Sequence, residues 1–187
     1  MAEIKLVPRS EVDPSITWDM TLLYPSDEAF YAELEKLKKE MKAFKEKYEN
    51  QLGDLEVLDE AIRKYEAIEL AVYRASHYAE LPMTVDRLNP KVVENATAFE
   101  AVSVSYAENM SFVMTELISL DEAFLNQFVA EKRPDLAYFV EKVIRQKKHT
   151  LSKDAEQVLS NLSSLPSFYQ LYEVTKHEDM QFESFEA

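Results

Sequence analysis

The 187-residue sequence contains no cysteine and a single glycine, Gly53. Without cysteine there is no disulfide, no thiolate zinc site and no cysteine nucleophile. Average glycine usage, about 7%, would give about a dozen. One glycine leaves no Gly-rich phosphate loop, no dinucleotide fingerprint and no nucleophile elbow. It also disfavours sheet-rich folds, which need many tight turns. Basic charge is short as well: 21 Lys and Arg stand against 35 Asp and Glu, for a net charge of −14. Binding to nucleic acid or an anionic membrane draws on basic charge, so neither is expected as a partner. No stretch reaches the ~18 uninterrupted apolar residues of a membrane span. The first ten residues lack the apolar core of a signal peptide.

What remains is a chain that is 47% hydrophobic, enough to bury a core despite 30% charged residues. Residues 1–25 read as an irregular lead-in with Pro14, Trp18 and Pro25. Trp18 is the only tryptophan, and its size predicts an anchor that pins the lead-in to the rest together with Leu22 and Leu23. A peptide-stacking platform is the functional alternative for the same residue. From Ser26, a predicted N-cap, the pattern turns helical. Phe30, Leu34, Leu37, Met41, Phe44 and Tyr48 form one stripe, and six acids and six lysines cover the other face. Gly53 is expected as the left-handed connector to a second helix, Val57 to Ala79, striped by Leu58, Ile62, Tyr65, Ile68, Val72 and Tyr73. Leu81-Pro82 ends it, and Asn89-Pro90 restarts the chain as N-cap and first helical residue.

The third predicted helix, Lys91 to Ser119, is the longest and carries few charges, which predicts a central helix buried nearly all round. Shorter helices are expected at 122–132, 135–148, 153–162 and 166–175. No segment has a period of 2. The predicted fold is therefore all-α: an antiparallel bundle of about seven helices with a long central helix and no sheet. Glu100 lies on an apolar arc of the third helix, beside Val93, Val104 and Ala107. A buried carboxylate needs a partner, and Arg63 or Arg74 is expected to supply it. A channel-facing acid is the alternative reading.

No catalytic constellation emerges. His177-Glu178 begins a His-Glu-x-x-His pattern, but Gln181 stands where the second zinc-binding histidine belongs. Arg74, Gln146 and Val174 precede the three histidines, His77, His149 and His177, by three residues, so a di-iron bundle is excluded too. The run Arg145 to Lys148 sits where a helix C-terminus favours cations. The catalytic and metal-ligating residues of this chain are accordingly none, and no substrate-binding residue is assignable. The tail, with Phe168, Tyr169, Leu171, Tyr172, Phe182 and Phe185, predicts an apolar surface left for a partner, and a chain that continues beyond Ala187.

Two stretches carry a resemblance. One is Pro8 to Val12 followed by Thr17-Trp18-Asp19-Met20-Thr21-Leu22-Leu23-Tyr24-Pro25-Ser26; the other is Arg145 to Ser152, with Glu156 one turn on. Both resemble the N-terminal helical region of oligoendopeptidase F, within the thimet-oligopeptidase-like zinc peptidases. The resemblance runs from about Pro8 to Phe182 and identifies Leu6 to Ser10 as native sequence. It implies a cytoplasmic zinc metalloendopeptidase that cuts oligopeptides in a deep channel. The His-Glu-x-x-His motif and third glutamate ligand of such enzymes lie in a later catalytic domain that this chain lacks. Residues 26–187 would then be a non-catalytic, channel-wall domain that gates substrates and packs on the catalytic domain of the same polypeptide. Zinc would belong to the parent enzyme, with none on this chain. A stand-alone helical adaptor is the alternative.

Overall fold

The computed structural model describes residues 11–147 together with His149, Tyr172, Thr175 and Lys176. Six α-helices fall within them: α1 (Asp27–Tyr48), α2 (Leu55–Glu80), α3 (Pro90–Met110), α4 (Phe112–Ser119), α5 (Glu122–Glu131) and α6 (Ala137–Lys147). There is no strand among the described residues. The chain divides into two compact units, 1–144 and 145–187. Five of the seven expected helices are accounted for, the third of them split into α3 and α4. The helices expected at 153–162 and 166–175 lie almost wholly outside the described residues, so the count of seven is not confirmed.

The helix starts follow capping chemistry. Ser26 Oγ accepts from the Ala29 amide at 3.3 Å, and Asp54 Oδ1 accepts from the Glu56 and Val57 amides at 2.9 and 3.1 Å. That second cap starts α2 at Leu55, two residues earlier than its stripe suggested. Asn89 and Asp121 cap α3 and α5 through the amides of Lys91 and Ala123. Each cap satisfies amides that have no partner inside the helix.

Helix α1 buries the whole predicted stripe, Phe30 to Tyr48. Its polar face carries the expected local pairs, such as Glu33–Lys36 and Glu35–Lys38. Cross-helix pairs set the topology. Lys47–Glu60 and Lys64–Glu40 make α1 and α2 antiparallel. Tyr31 to Asn95, and Lys45 to the Glu108 carbonyl, make α1 and α3 parallel. The result is an up-down-up arrangement of α1, α2 and α3, with α4, α5 and α6 adding buried residues to the same core.

That arrangement corrects the expectation of a central helix. Only Asn95, Phe99, Val102 and Met110 of α3 are buried, and Val93 and Val104 are exposed. Here α3 packs on α1 and α2 along one face, so an apolar reverse side stays in solvent. Glu100 belongs to that outer face and is exposed. The expected partners are engaged elsewhere: Arg63 with Asp59 at 3.0 Å, and Arg74 with the Leu23 carbonyl at 2.8 Å. The helix also breaks at Ser111, where the Thr115 hydroxyl donates to the Ser111 carbonyl at 3.3 Å. Such bonds four residues back along the chain bend helices.

The connector between α1 and α2 is a second correction. Asn50, with φ 63°, takes the left-handed conformation, not Gly53. Asparagine tolerates that region because its short amide can bond locally. The Asn50 amide donates to Glu116 of α4, and Leu52 is fully buried, so the turn is tied down on both sides. A Cβ built at Gly53 would meet nothing within 4 Å. Gly53→Ala is therefore expected to raise stability by about 0.4–1 kcal/mol, through lost unfolded-chain entropy. A urea melt with an unchanged or lower midpoint would refute this.

Arg133 is the one buried charge among the described residues, at 6% exposure. Its guanidinium grips Glu66 of α2 at 2.7 and 3.1 Å, and Asp135 at 2.7 to 3.1 Å. These charge-assisted bonds, Asp135 first and Glu66 next, push its pKa further up. The fork joins α2 to the turn that opens α6.

Candidate functional site

At the end of the bundle where α1 begins, two short segments face each other. Pro82 lacks an N–H, so the chain after α2 tightens into a 3-10 turn, Pro82–Thr84. The Thr84 hydroxyl donates to the Leu81 carbonyl at 2.7 Å, and the Val85 amide to the Pro82 carbonyl at 3.1 Å. The opposite segment is the lead-in. It holds two 3-10 turns, Pro14–Ile16 and Met20–Leu22. Asp19 caps the second by accepting from the Thr21 amide at 2.9 Å and the Thr21 hydroxyl at 2.6 Å. Those bonds hold the Asp19 carboxyl below its ordinary pKa, the hydroxyl bond leading.

Trp18 is not the anchor of this lead-in. Its indole is 72% exposed, and Leu22 is exposed as well. Tyr24 does the anchoring. It is buried, stands edge-on to Phe30 and Tyr78 at 5.6 and 5.3 Å, and lies under the Arg74 guanidinium at 5.5 Å. Arg74 also fixes the preceding carbonyl, that of Leu23. Trp18 lies too far upstream of this clamp to share it.

Between the two segments runs an open groove of about 510 Å³. One wall is Val12, Ile16, Trp18 and Met20; the other is Leu81, Pro82, Val85 and Val92. Thr17, Thr84, Asp86 and Asn89 supply the polar groups, and Asp86 is the only ionisable residue lining it among the described residues. Among the described lining residues no nucleophile is paired with a base, and most of the lining is apolar.

Behind it lies a polar network joining α1, α2 and α3. Asp27 Oδ1 accepts from the Tyr78 hydroxyl at 2.8 Å and from Asn95 Nδ2 at 3.0 Å. Asn95 Oδ1 accepts from the Tyr31 hydroxyl at 2.7 Å, and Lys91 Nζ stands 3.5 Å from Asp27 Oδ2. Burial raises the Asp27 pKa, but the bonds from Tyr78 and Asn95 and the Lys91 charge outweigh it and hold it below 3.8. Burial first, then the bond to Asp27, pushes Tyr78 up to about 12. A smaller cluster sits midway along α2 and α3, where the Tyr106 hydroxyl bonds Glu69 and Tyr65. Every donor in these clusters is spent on holding helices together.

The sequence candidates do not converge on one place. His77 ends α2 with Nδ1 2.7 Å from the Tyr73 carbonyl. The His149 amide donates to the Gln146 carbonyl in a turn after α6. Arg145 and Lys147 occupy the last turn of α6, where the macrodipole favours them. His177, Glu178 and Gln181 lie outside the described residues, as do Lys148 and, apart from the exposed Tyr172, the aromatic tail residues. No group of three or more His, Cys, Asp or Glu that could hold a metal ion occurs among the described residues. The described residues therefore do not fit a zinc site. Sequence reading missed the groove because its walls are non-periodic segments; its one signal was a tryptophan outside any helix.

Comparison with known proteins agrees with the resemblance. Residues 116–182 match the N-terminal family model of the M3 peptidases, described as Oligopeptidase F. An oligoendopeptidase F homolog of Borreliella burgdorferi is 25% identical over 179 residues, covering 95% of this chain and 30% of the relative. Oligopeptidase PepF of Bacillus subtilis is 28% identical over 192 residues, covering 98% of this chain and 28% of the relative. A crystal structure of a chain from Chlamydophila abortus assigned as a peptidase superposes with a TM-score of 0.69 at 25% identity, over 92% of this chain and 29% of that one. The chain thus spans under a third of the length of the relatives it matches. Fold and matches together liken this chain to a helical part of larger peptidases. More particularly, they support an N-terminal domain of oligoendopeptidase F.

Proposed function

We propose that this chain is the non-catalytic N-terminal domain of a cytoplasmic zinc metalloendopeptidase that cleaves short peptides. It gates access to the substrate channel and packs against the catalytic domain of the same polypeptide. The supporting observation is coverage: almost all of this chain aligns to less than a third of each oligoendopeptidase relative. The composition agrees, with no cysteine and no zinc-binding pattern completed at Gln181. Among the described residues no helix is long and apolar enough to cross a membrane.

Two measurements test the reading. The reading frame past codon 187 is expected to encode His-Glu-x-x-His; a frame that stops there would favour a stand-alone helical adaptor. The purified chain is expected to hold no stoichiometric zinc and to leave a quenched fluorescent oligopeptide intact. One tightly held zinc per chain, or cleavage lost on chelation, would place catalysis on this chain and overturn the proposal.

A further inference from the structure

We infer that the groove between the lead-in and the turn after α2 is a docking site for an extended peptide carrying a basic residue beside an apolar one. Trp18 is its stacking platform and Asp86 its counter-charge. The inference rests on the proposal that the chain handles peptides, and adds where on this chain they bind and which they favour. Three features of the groove carry it.

The first is the exposed indole. A tryptophan buries up to about 250 Å² when packed. Trp18 leaves most of that in solvent, on the wall of an apolar groove flanked by exposed Ile16 and Val85. Contiguous exposed apolar surface of this kind marks binding sites. The lead-in does not need the indole for its own attachment, because Tyr24 and Arg74 already supply that.

The second is the shape and lining. The volume lies within the about 300–1,000 Å³ of pockets that hold small ligands, and the lining is apolar with a few polar groups at fixed positions. The described lining is partly open to solvent, which suits an extended chain more than an enclosed molecule.

The third is charge. Among the described residues Asp86 is the only ionisable one in the lining, and its backbone is fixed by its amide to the Pro82 carbonyl at 3.0 Å and its carbonyl to the Asn89 amide at 3.4 Å. The chain as a whole carries −14. That total field favours a cation over an anion, and the Asp86 carboxylate gives it an acceptor in the groove lining. An indole face on one wall and a carboxylate elsewhere in the lining offer an Arg or Lys side chain cation–π attraction and ion pairing. An acidic peptide meets repulsion from both.

Trp18 is the only tryptophan, so intrinsic fluorescence of the full chain reads the groove directly. Titration with the peptide acetyl-Leu-Arg-Leu-amide is expected to give a saturable blue shift. The Glu and Gln versions of that peptide should bind about fivefold or more weakly. Asp86→Asn should bring the Arg peptide down to the Gln peptide and leave the Gln peptide unchanged. Trp18→Ala, at an exposed position, should fold normally and lose binding by calorimetry. No saturable shift, equal binding of the Arg and Glu peptides, or an Asp86→Asn variant that keeps the preference would each overturn the inference. Those outcomes leave the reading-frame and zinc tests above untouched, so the two proposals fail separately.

Discussion

Phe30→Ala is expected to lower the unfolding free energy by about 3–5 kcal/mol, the range for emptying a fully buried aromatic site. Phe30 is 0% exposed, and its ring meets three others: Tyr24 at 5.6 Å, Tyr31 at 5.5 Å and Tyr78 at 4.8 Å. Those rings come from the lead-in, α1 and α2, so the cavity would open where three segments converge. They cannot collapse into it cheaply, because Tyr78 and Tyr31 are held by their hydroxyls to Asp27 and Asn95. Urea melts should show a lower midpoint with an unchanged slope. The effect should also reach the groove, since the lead-in wall hangs from Tyr24. Trp18 fluorescence in the folded Phe30→Ala protein is expected to change, whereas a truncation at Phe128, buried in α5, should leave it alone. A loss below about 1 kcal/mol would mean that the aromatic corner does not hold the lead-in.

The parts legible in the sequence are those governed by one strong local pattern. The α1 stripe was read residue for residue because a steady 3-4 spacing with charged positions between them has only one helical solution. Ser26 and Asn89 were readable as caps, since a side-chain acceptor ahead of a periodic run has few other uses. What failed depended on neighbours. The α3 sequence looks buried all round, but burial is decided by how many helices pack on it, and composition does not carry that number. The Asn50 turn was assigned to Gly53 because glycine is the commoner left-handed residue; the choice was made by Glu116 and buried Leu52. Trp18 was assigned by size alone, while the position with tertiary partners was Tyr24, six residues on. The candidate groove follows the same rule: two irregular segments meet only after three helices have set their ends, so no spacing in the sequence announces it. The family resemblance was legible because Thr17 to Pro25 sets Trp18, Met20, Tyr24 and Pro25 at fixed spacing within nine residues.

Removing the carboxylate of Asp27 is expected to cost about 1–3 kcal/mol, because the loss strands two part-buried donors at once. Tyr78 and Asn95 both donate to Asp27 Oδ1, and the chain of bonds continues through Asn95 to Tyr31. Asp27→Ala should therefore lose more than Tyr78→Phe, which removes the donor along with its need for a partner. The double variant should lose less than the sum of the two, since the same bond is counted in each. The network also predicts where stability fails with pH. The Asp27 carboxyl titrates below its ordinary 3.8 in the folded chain. Its contribution is complete above the unfolded value and disappears as pH falls through the lowered folded one. Tyr78 moves the opposite way, from 10.0 up to about 12. Its contribution is complete below about pH 10 and is lost as pH rises through about 12. One hydrogen bond thus weakens at both extremes, by protonation of its acceptor in acid and by loss of its donor proton in base. In Tyr78→Phe the alkaline decline between pH 10 and 12 should flatten, while an acid decline persists through the remaining bond from Asn95. In Asp27→Asn the acid decline should flatten. Thermal melts of the three proteins from pH 2 to 12 would measure this, and an Asp27→Asn variant that keeps the full acid sensitivity of the parent would show that other carboxylates carry it.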